Sequence, residues 1–111
     1  MSTIFTRIIQ REIPADILYE DDDCLAFRDI NPVAPTHFLV IPKKPIVALA
    51  DMGMEDRALM GHCTWIAAQV AKTEGLQDFR VVTNNGAGAG QSVFHIHFHV
   101  IGGRPLSWPP G

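Results

Sequence analysis

The sequence predicts an α+β domain: a five-stranded antiparallel sheet running as a meander, with two helices packed on it. Three observations predict this. Five short apolar or alternating segments read as strands: Ile17 to Glu20, Cys24 to Arg28, His37 to Ile41, Phe79 to Thr83 and Phe94 to Ile101. They lie in sequence-adjacent groups joined by short turns, which favours antiparallel pairing. Two other segments carry apolar residues at helical spacing. With 111 residues, 47% of them hydrophobic and 19% charged, the chain has the size of one domain that buries about two-thirds of its unfolded surface. Residues 1–111 are therefore expected to form a single domain, with an irregular tail at 104–111.

Each element has a local cause. Ile4, Phe5, Ile8 and Ile9 recur at helical spacing behind Ser2 or Thr3, a capping pair, and the helix is expected to end near Pro14. The acidic run Asp21-Asp22-Asp23 reads as a solvated turn between the first two strands. Asn31-Pro32-Val33-Ala34-Pro35 reads as a stiff loop, and Pro42 stops the third strand. The clearest helix runs from about Glu55 to Glu74, with Leu59, Cys63, Ile66, Ala67 and Val70 on one face and Gly75 at its end. His62, on that helix, reads as a surface or interface residue. Asn84 to Gln91 is a glycine-rich loop, and the three prolines after Arg104 exclude regular structure from the tail.

Composition narrows the function. The net charge is −3, and no basic stripe of the kind that reads nucleic acid occurs, so no nucleic-acid partner is expected. No stretch approaches the ~20 apolar residues of a membrane span. The N-terminus lacks a basic region followed by a long apolar run, so a cytoplasmic protein is expected. Cys24 and Cys63 show no CxxC spacing and read as free, buried or half-buried thiols.

The chemistry-bearing segment is Phe94-His95-Ile96-His97-Phe98-His99-Val100-Ile101. In a strand, alternate side chains face opposite ways, so Phe94, Ile96, Phe98 and Val100 pack while His95, His97 and His99 form a row on the other face. Packing alone poorly explains three histidines in strict alternation. Metal binding and nucleophilic catalysis compete for the row. Its outer Cα atoms would lie about 13 Å apart at strand rise, too far for three rings to converge easily on one tetrahedral ion, and no metal or other cofactor is expected. Imidazole is a good nucleophile near neutral pH, and neighbouring imidazoles and hydroxyls orient it and move protons. The preceding loop, Asn84-Asn85-Gly86-Ala87-Gly88-Ala89-Gly90-Gln91-Ser92, brings small residues and one hydroxyl against the row. Glycine lets backbone N–H groups approach an anion closely.

The run Gln91-Ser92-Val93-Phe94-His95-Ile96-His97-Phe98-His99-Val100 resembles the signature of the histidine triad family, closest to its Hint branch of nucleoside phosphoramidases. Phe27-Arg28-Asp29-Ile30, Ala34 to Lys44, Gly102-Gly103-Arg104 and the ending Trp108-Pro109-Pro110-Gly111 extend that resemblance over almost the whole chain. It implies cleavage of the P–N bond in a purine nucleoside 5′-phosphoramidate of AMP or GMP type, through a nucleotidyl-histidine intermediate. It makes His97 the nucleophile, puts Ser92 and His99 on the phosphate and leaving group, and makes His37 and His95 supports of the triad. It assigns Asp29 to the ribose hydroxyls and Asn84, with Asn85 as the alternative, to the phosphate. Gly90, Gln91 and Val93 fall in the nucleotide-binding segment, and Ile4, Phe5, Ile8, Phe27, Ile30 and Leu39 match the lining of a base pocket. The same resemblance implies a homodimer whose tails reach toward the partner's site; the helix face carrying Met60 and Trp65 and an edge strand at Phe79 to Thr83 suit such an interface. A nucleotide-binding interaction protein with incidental hydrolysis and a zinc-binding module are the alternatives.

Overall fold

A computed structural model describes residues 2–111. The first helix, α1 (Ile4–Ile9), starts at a capping box: the Thr3 hydroxyl accepts from the Phe5 and Thr6 N–H groups, and the Thr6 hydroxyl accepts from the Thr3 N–H at 2.7 Å. It stops at Ile9, well short of Pro14. Arg11 takes a left-handed φ of 62°, Arg11 N–H donates to Ile8 O and Glu12 N–H to Arg7 O. That is the reversal glycine usually makes at a helix end, and an arginine in the glycine position hid it from a reading of the sequence.

Strands β1 (Ile17–Glu20), β2 (Cys24–Arg28), β3 (Thr36–Pro42), β4 (Phe79–Val82) and β5 (Phe98–Gly102) form one antiparallel sheet in the order β1-β2-β3-β5-β4. The expected meander therefore holds over β1–β3 and within the β4–β5 pair, but is broken between them. After β3 the chain passes a short 3₁₀ turn (Met54–Asp56) into α2 (Arg57–Thr73). Seventeen helical residues span about 26 Å, enough to carry the chain across the sheet and set β4 at the far edge. β5 then returns into the gap beside β3. The expected edge position of β4 is borne out.

Period-2 alternation splits the core between the two faces. Cys24, Ala26, Phe38, Val40, Phe98 and Val100 pack under Met60, Cys63, Ile66, Ala67 and Val70 of α2. Leu25, Phe27, Leu39 and Ile41 pack under Phe5 and Ile8 of α1. The central strands are thus buried on both sides and read as nearly unbroken apolar runs. The second layer is thinner, because α1 is only six residues long, and the cavity described below opens there.

The Asp21-Asp22-Asp23 turn is more than solvated surface. Asp21 Oδ1 accepts from the Asp23 and Cys24 N–H groups at 2.8 Å each, and Asp21 Oδ2 accepts from the Tyr19 hydroxyl at 2.9 Å and lies 2.6 Å from His62 Nε2. Burial opposes the charge, but the bonds from His62, the two N–H groups and Tyr19 hold the carboxyl well below the usual carboxylate range. His62 is therefore the clasp between α2 and the β1–β2 turn, not a free surface residue. Cys24 and Cys63 are both fully buried free thiols. The hydrogen bond with Cys63 and burial push the Cys24 thiol far above its ordinary value, which leaves it unreactive. Replacing Asp21 with alanine removes the acceptor of four donors, and is expected to lower the unfolding free energy by about 1–3 kcal/mol; urea denaturation checks this, and an unchanged midpoint would refute the clasp.

Candidate active site

Only the second half of the expected histidine strand is paired. β5 begins at Phe98, and Phe94 to His97 runs outside the ladder. Phe94 is 47% exposed and does not pack as strict alternation predicted. Other contacts hold the unpaired stretch: Ile96 N–H donates to Ile46 O at 2.7 Å, and the Thr83 hydroxyl donates to His97 O at 2.9 Å. Ile96 is buried among the α2-side residues, and His95 and His97 are buried on the α1 side. The odd-and-even division of the sequence therefore survives although the strand does not.

Hydrogen-bond partners decide where each imidazole carries its proton. His97 Nδ1 lies 2.8 Å from the His95 carbonyl oxygen. A carbonyl only accepts, so Nδ1 bears the hydrogen and His97 Nε2 bears the lone pair. His95 Nε2 lies 2.7 Å from Pro42 O and likewise donates, while its buried Nδ1 has no partner among the described residues. His37 Nδ1 accepts from the Val33 N–H at 3.1 Å, so His37 carries its proton on Nε2. That nitrogen stands 2.9 Å from His99 Nδ1 and 3.4 Å from Asp29 Oδ2. With His37 donating, His99 accepts at Nδ1 and presents an Nε2–H. The pair His97 and His99 thus offers a lone pair and a donor side by side, their ring centroids 5.0 Å apart. The Phe5 ring stands edge-on to His97, also at 5.0 Å.

Burial keeps His95, His97 and His99 neutral. It lowers His95, with the nearby His97 adding to it and the Pro42 carbonyl opposing. It lowers His97 against the His95 carbonyl and Asp29. His99 is pushed down to about 4 by burial, then by His97 and His37. Neutral imidazole is the nucleophilic form.

The cavity beside the triad has a volume of about 280 Å³. It gathers Ile4, Phe5, Ile8, Phe27, Asp29, Ile30, Leu39, Ser92, Val93, His97 and His99 from the residues singled out in the sequence. Ile13, Pro14, Ala15, Arg28 and Asn31 also line it, and the sequence had not assigned them to a cavity. His37 and His95 are buried, joined to the site through His99 and His97. Asn84, Gly90 and Gln91 stand outside the lining. Asn85 Oδ1 accepts from the Ala50 N–H at 2.7 Å, whereas the Asn84 amide lies against Gly90. Asp29 Oδ1 accepts from the Asn31 N–H at 2.8 Å, which makes it a turn-former as well as a wall of the cavity. Several N–H groups of the glycine loop are used inside it: those of Ala89 and Gln91 donate to Gly86 O and that of Gly90 to Ala87 O.

Among the described residues, two groups place three metal-type donors within 4.8 Å of one another: Asp29 with His37 and His99, and Asp21 with Cys24 and His62. Neither contains His95 or His97. In both, the polar atoms are engaged in the hydrogen bonds given above. A larger hollow of about 720 Å³ lies at the other end of the sheet, between β4 and Gly103 to Leu106, and holds no histidine or hydroxyl nucleophile.

The pattern of the HIT domain matches residues 10–106. An uncharacterised HIT-like protein of Synechocystis is 60% identical over 110 residues, covering 98% of this chain and 96% of that protein. The structure of a HIT family hydrolase from Legionella pneumophila superposes with a TM-score of 0.96 at 46% identity, covering 99% of this chain and 100% of the other. A histidine triad protein from Clostridium difficile superposes at 0.92 with 41% identity, covering 96% and 95%.

Proton NMR of the imidazoles is expected to show His95, His97 and His99 titrating below 6.5, with His99 near 4. The unfolded rings take up protons near 6.5, so between that pH and about 4 the unfolded state binds more protons. Stability therefore falls as pH drops through this window. A titration of His99 at or above 6.5 would overturn the assignment.

Proposed function

The chain belongs to the HIT domain family, and we propose that it hydrolyses purine nucleoside 5′-phosphoramidates, adenosine 5′-monophosphoramidate among them. One observation carries the proposal: His97 presents an unprotonated Nε2 beside a cavity lined on one side by apolar residues and on the other by Asp29, Ser92 and His99. The apolar side, Phe5, Ile8, Phe27 and Leu39, suits the two faces of a purine. An ionised Asp29 accepts from two neighbouring ribose hydroxyls through its lone pairs. The phosphate then lies between His97, His99 and the Ser92 hydroxyl, with Asn84 at the loop behind it.

In the reaction, His97 Nε2 attacks phosphorus and the P–N bond breaks. Its electron pair goes to the nitrogen, which takes a proton from water and leaves as amine, while the His99 Nε2–H donates a hydrogen bond to the phosphate. The His97 Nδ1–H bond to the His95 carbonyl steadies the positive charge on the nucleotidylated ring. Water then attacks the same phosphorus, the bond to His97 Nε2 breaks with its electron pair returning to the ring, the water's proton passes to solvent and the nucleoside monophosphate is released. Splitting one displacement into two gives each step a reactive partner, because a phosphoryl-imidazole is readily hydrolysed. His97→Ala is expected to reduce turnover of adenosine 5′-monophosphoramidate by at least about 10³-fold with the fold intact. Turnover near the wild-type rate, or a trapped nucleotide on His95, would overturn the mechanism. Wild-type protein that binds AMP without turnover would favour an interaction protein.

The working unit of this proposal is a homodimer. Trp108, in the proline-rich tail, is 80% exposed and Trp65 on α2 is 58% exposed, and the free edge of the sheet at β4 carries the half-exposed Val81. Exposed aromatic surface beside an unpaired strand edge suits a two-fold contact. Light scattering at micromolar concentration is expected to give a mass near twice the 12.2 kDa of the chain; a monomer would refute it.

A further inference from the structure

Gln91 was expected to touch the nucleotide, and its surroundings point elsewhere. It is 3% exposed and absent from the cavity wall. Its carboxamide oxygen accepts from the Gly86 N–H at 2.8 Å. Its amide nitrogen donates to Val47 O at 2.7 Å and Val93 O at 3.1 Å. Both amide hydrogens are therefore committed to the protein's own carbonyls, and no donor is left for a ligand. The backbone repeats the tie, since Gln91 N–H donates to Gly86 O at 3.1 Å. Three segments meet at this one side chain: the loop after β3 at Val47, the start of the glycine loop at Gly86, and the stretch leading to the triad at Val93. Between Gly86 and Gln91 the backbone turns through two positive φ angles, 92° at Gly86 and 97° at Gly90, positions where glycine is unrestrained. A loop so flexible by composition needs an outside constraint to hold one shape. Ser92 sits between the two residues that the carboxamide ties down.

We propose that Gln91 is a positioning residue: its buried carboxamide fixes the glycine loop and, through Gln91 and Val93 on either side, places the Ser92 hydroxyl against the phosphate. This rests on the hydrolase reading above.

A double-mutant cycle between Gln91 and Ser92 tests it, read on kcat, KM and AMP affinity of the full chain. Gln91→Ala is expected to lower kcat about a hundredfold, the cost of a reacting group displaced by about 1 Å, with a smaller change in KM. In a Ser92→Ala background the same change is expected to cost less than about tenfold, because residues acting as a unit are not additive. A merely structural glutamine would lower the melting temperature equally in both backgrounds and leave kcat of the folded protein unchanged, and that result overturns the proposal. So does an equal loss of kcat in both backgrounds. Gln91→Met fills the same volume without the hydrogen bonds, and supplies the cycle if the alanine variant fails to fold. If the wild type binds AMP but does not cleave adenosine 5′-monophosphoramidate, the hydrolase reading fails and the cycle is decided on AMP affinity; if it does neither, both fall.

Discussion

The hydrogen bond from His97 Nδ1 to the carbonyl oxygen of His95, two residues back and 2.8 Å away, is the contact on which the proposed chemistry turns. It fixes a tautomer that free imidazole in water does not fix, and it leaves a lone pair on the outer nitrogen. The same device recurs at Pro42 O for His95 and, with the polarity reversed, at the Val33 N–H for His37. Backbone groups thus set the proton positions of His95, His97 and His37, and His37 passes its setting to His99. Side-chain orienters can themselves titrate or rotate; backbone carbonyls and amides do neither. The site holds its protonation pattern as long as the backbone holds its shape.

That requirement explains where the site lies. β3 and β5 are central in the sheet, covered by α2 on one face and by α1 on the other. His37 and His99 stand on these two strands, two register positions apart and so on one face, His37 opposite Ile101 and Leu39 opposite His99. Both side chains face the thinner layer. A longer α1 would bury the cavity, and a missing one would remove the burial that holds the His99 pKa down. Six helical residues, ended by the reversal at Arg11, cover the sheet only in part.

Much of this was legible in the sequence, and the failures have physical causes. β1 and β2 were located to the residue, because two short apolar runs separated by the acidic turn Asp21-Asp22-Asp23 have few other readings. The free thiols and the edge position of β4 were also legible. The strand order was not: sequence adjacency carries no record of how far a helix travels, and α2 delivers the chain past the place a meander would use. The extent of the histidine strand was overread for a related reason. Period-2 alternation reports which side of a layer a residue faces, not whether its N–H and C=O have partners, and Phe94 to His97 keeps the alternation without the ladder. The partners of His62 and Gln91, Asp21 and the carbonyls of Val47 and Val93, were not legible because they depend on tertiary approach. Pro14 and Ala15 could not be assigned to the cavity wall before the short α1 was known.

The two faces also differ in what kind of contact they tolerate. Under α2 the buried polar groups are few and fully engaged; the Asp21 clasp sits at the rim, where half-exposed His62 and Tyr19 share its charge with water. Under α1, four imidazoles lie at low polarity with a single carboxylate nearby, and burial works against the charge of His95, His97 and His99. An ionised ring there would lack enough compensating acceptors, so the neutral form prevails without any dedicated base. The cost is a buried nitrogen on His95 with no partner among the described residues, an unmet acceptor of the sort that folded proteins rarely keep. Protonating that nitrogen would satisfy nothing and add a charge beside His97. The unpartnered atom therefore offers a proton nothing to bind to, and burial keeps His95 neutral.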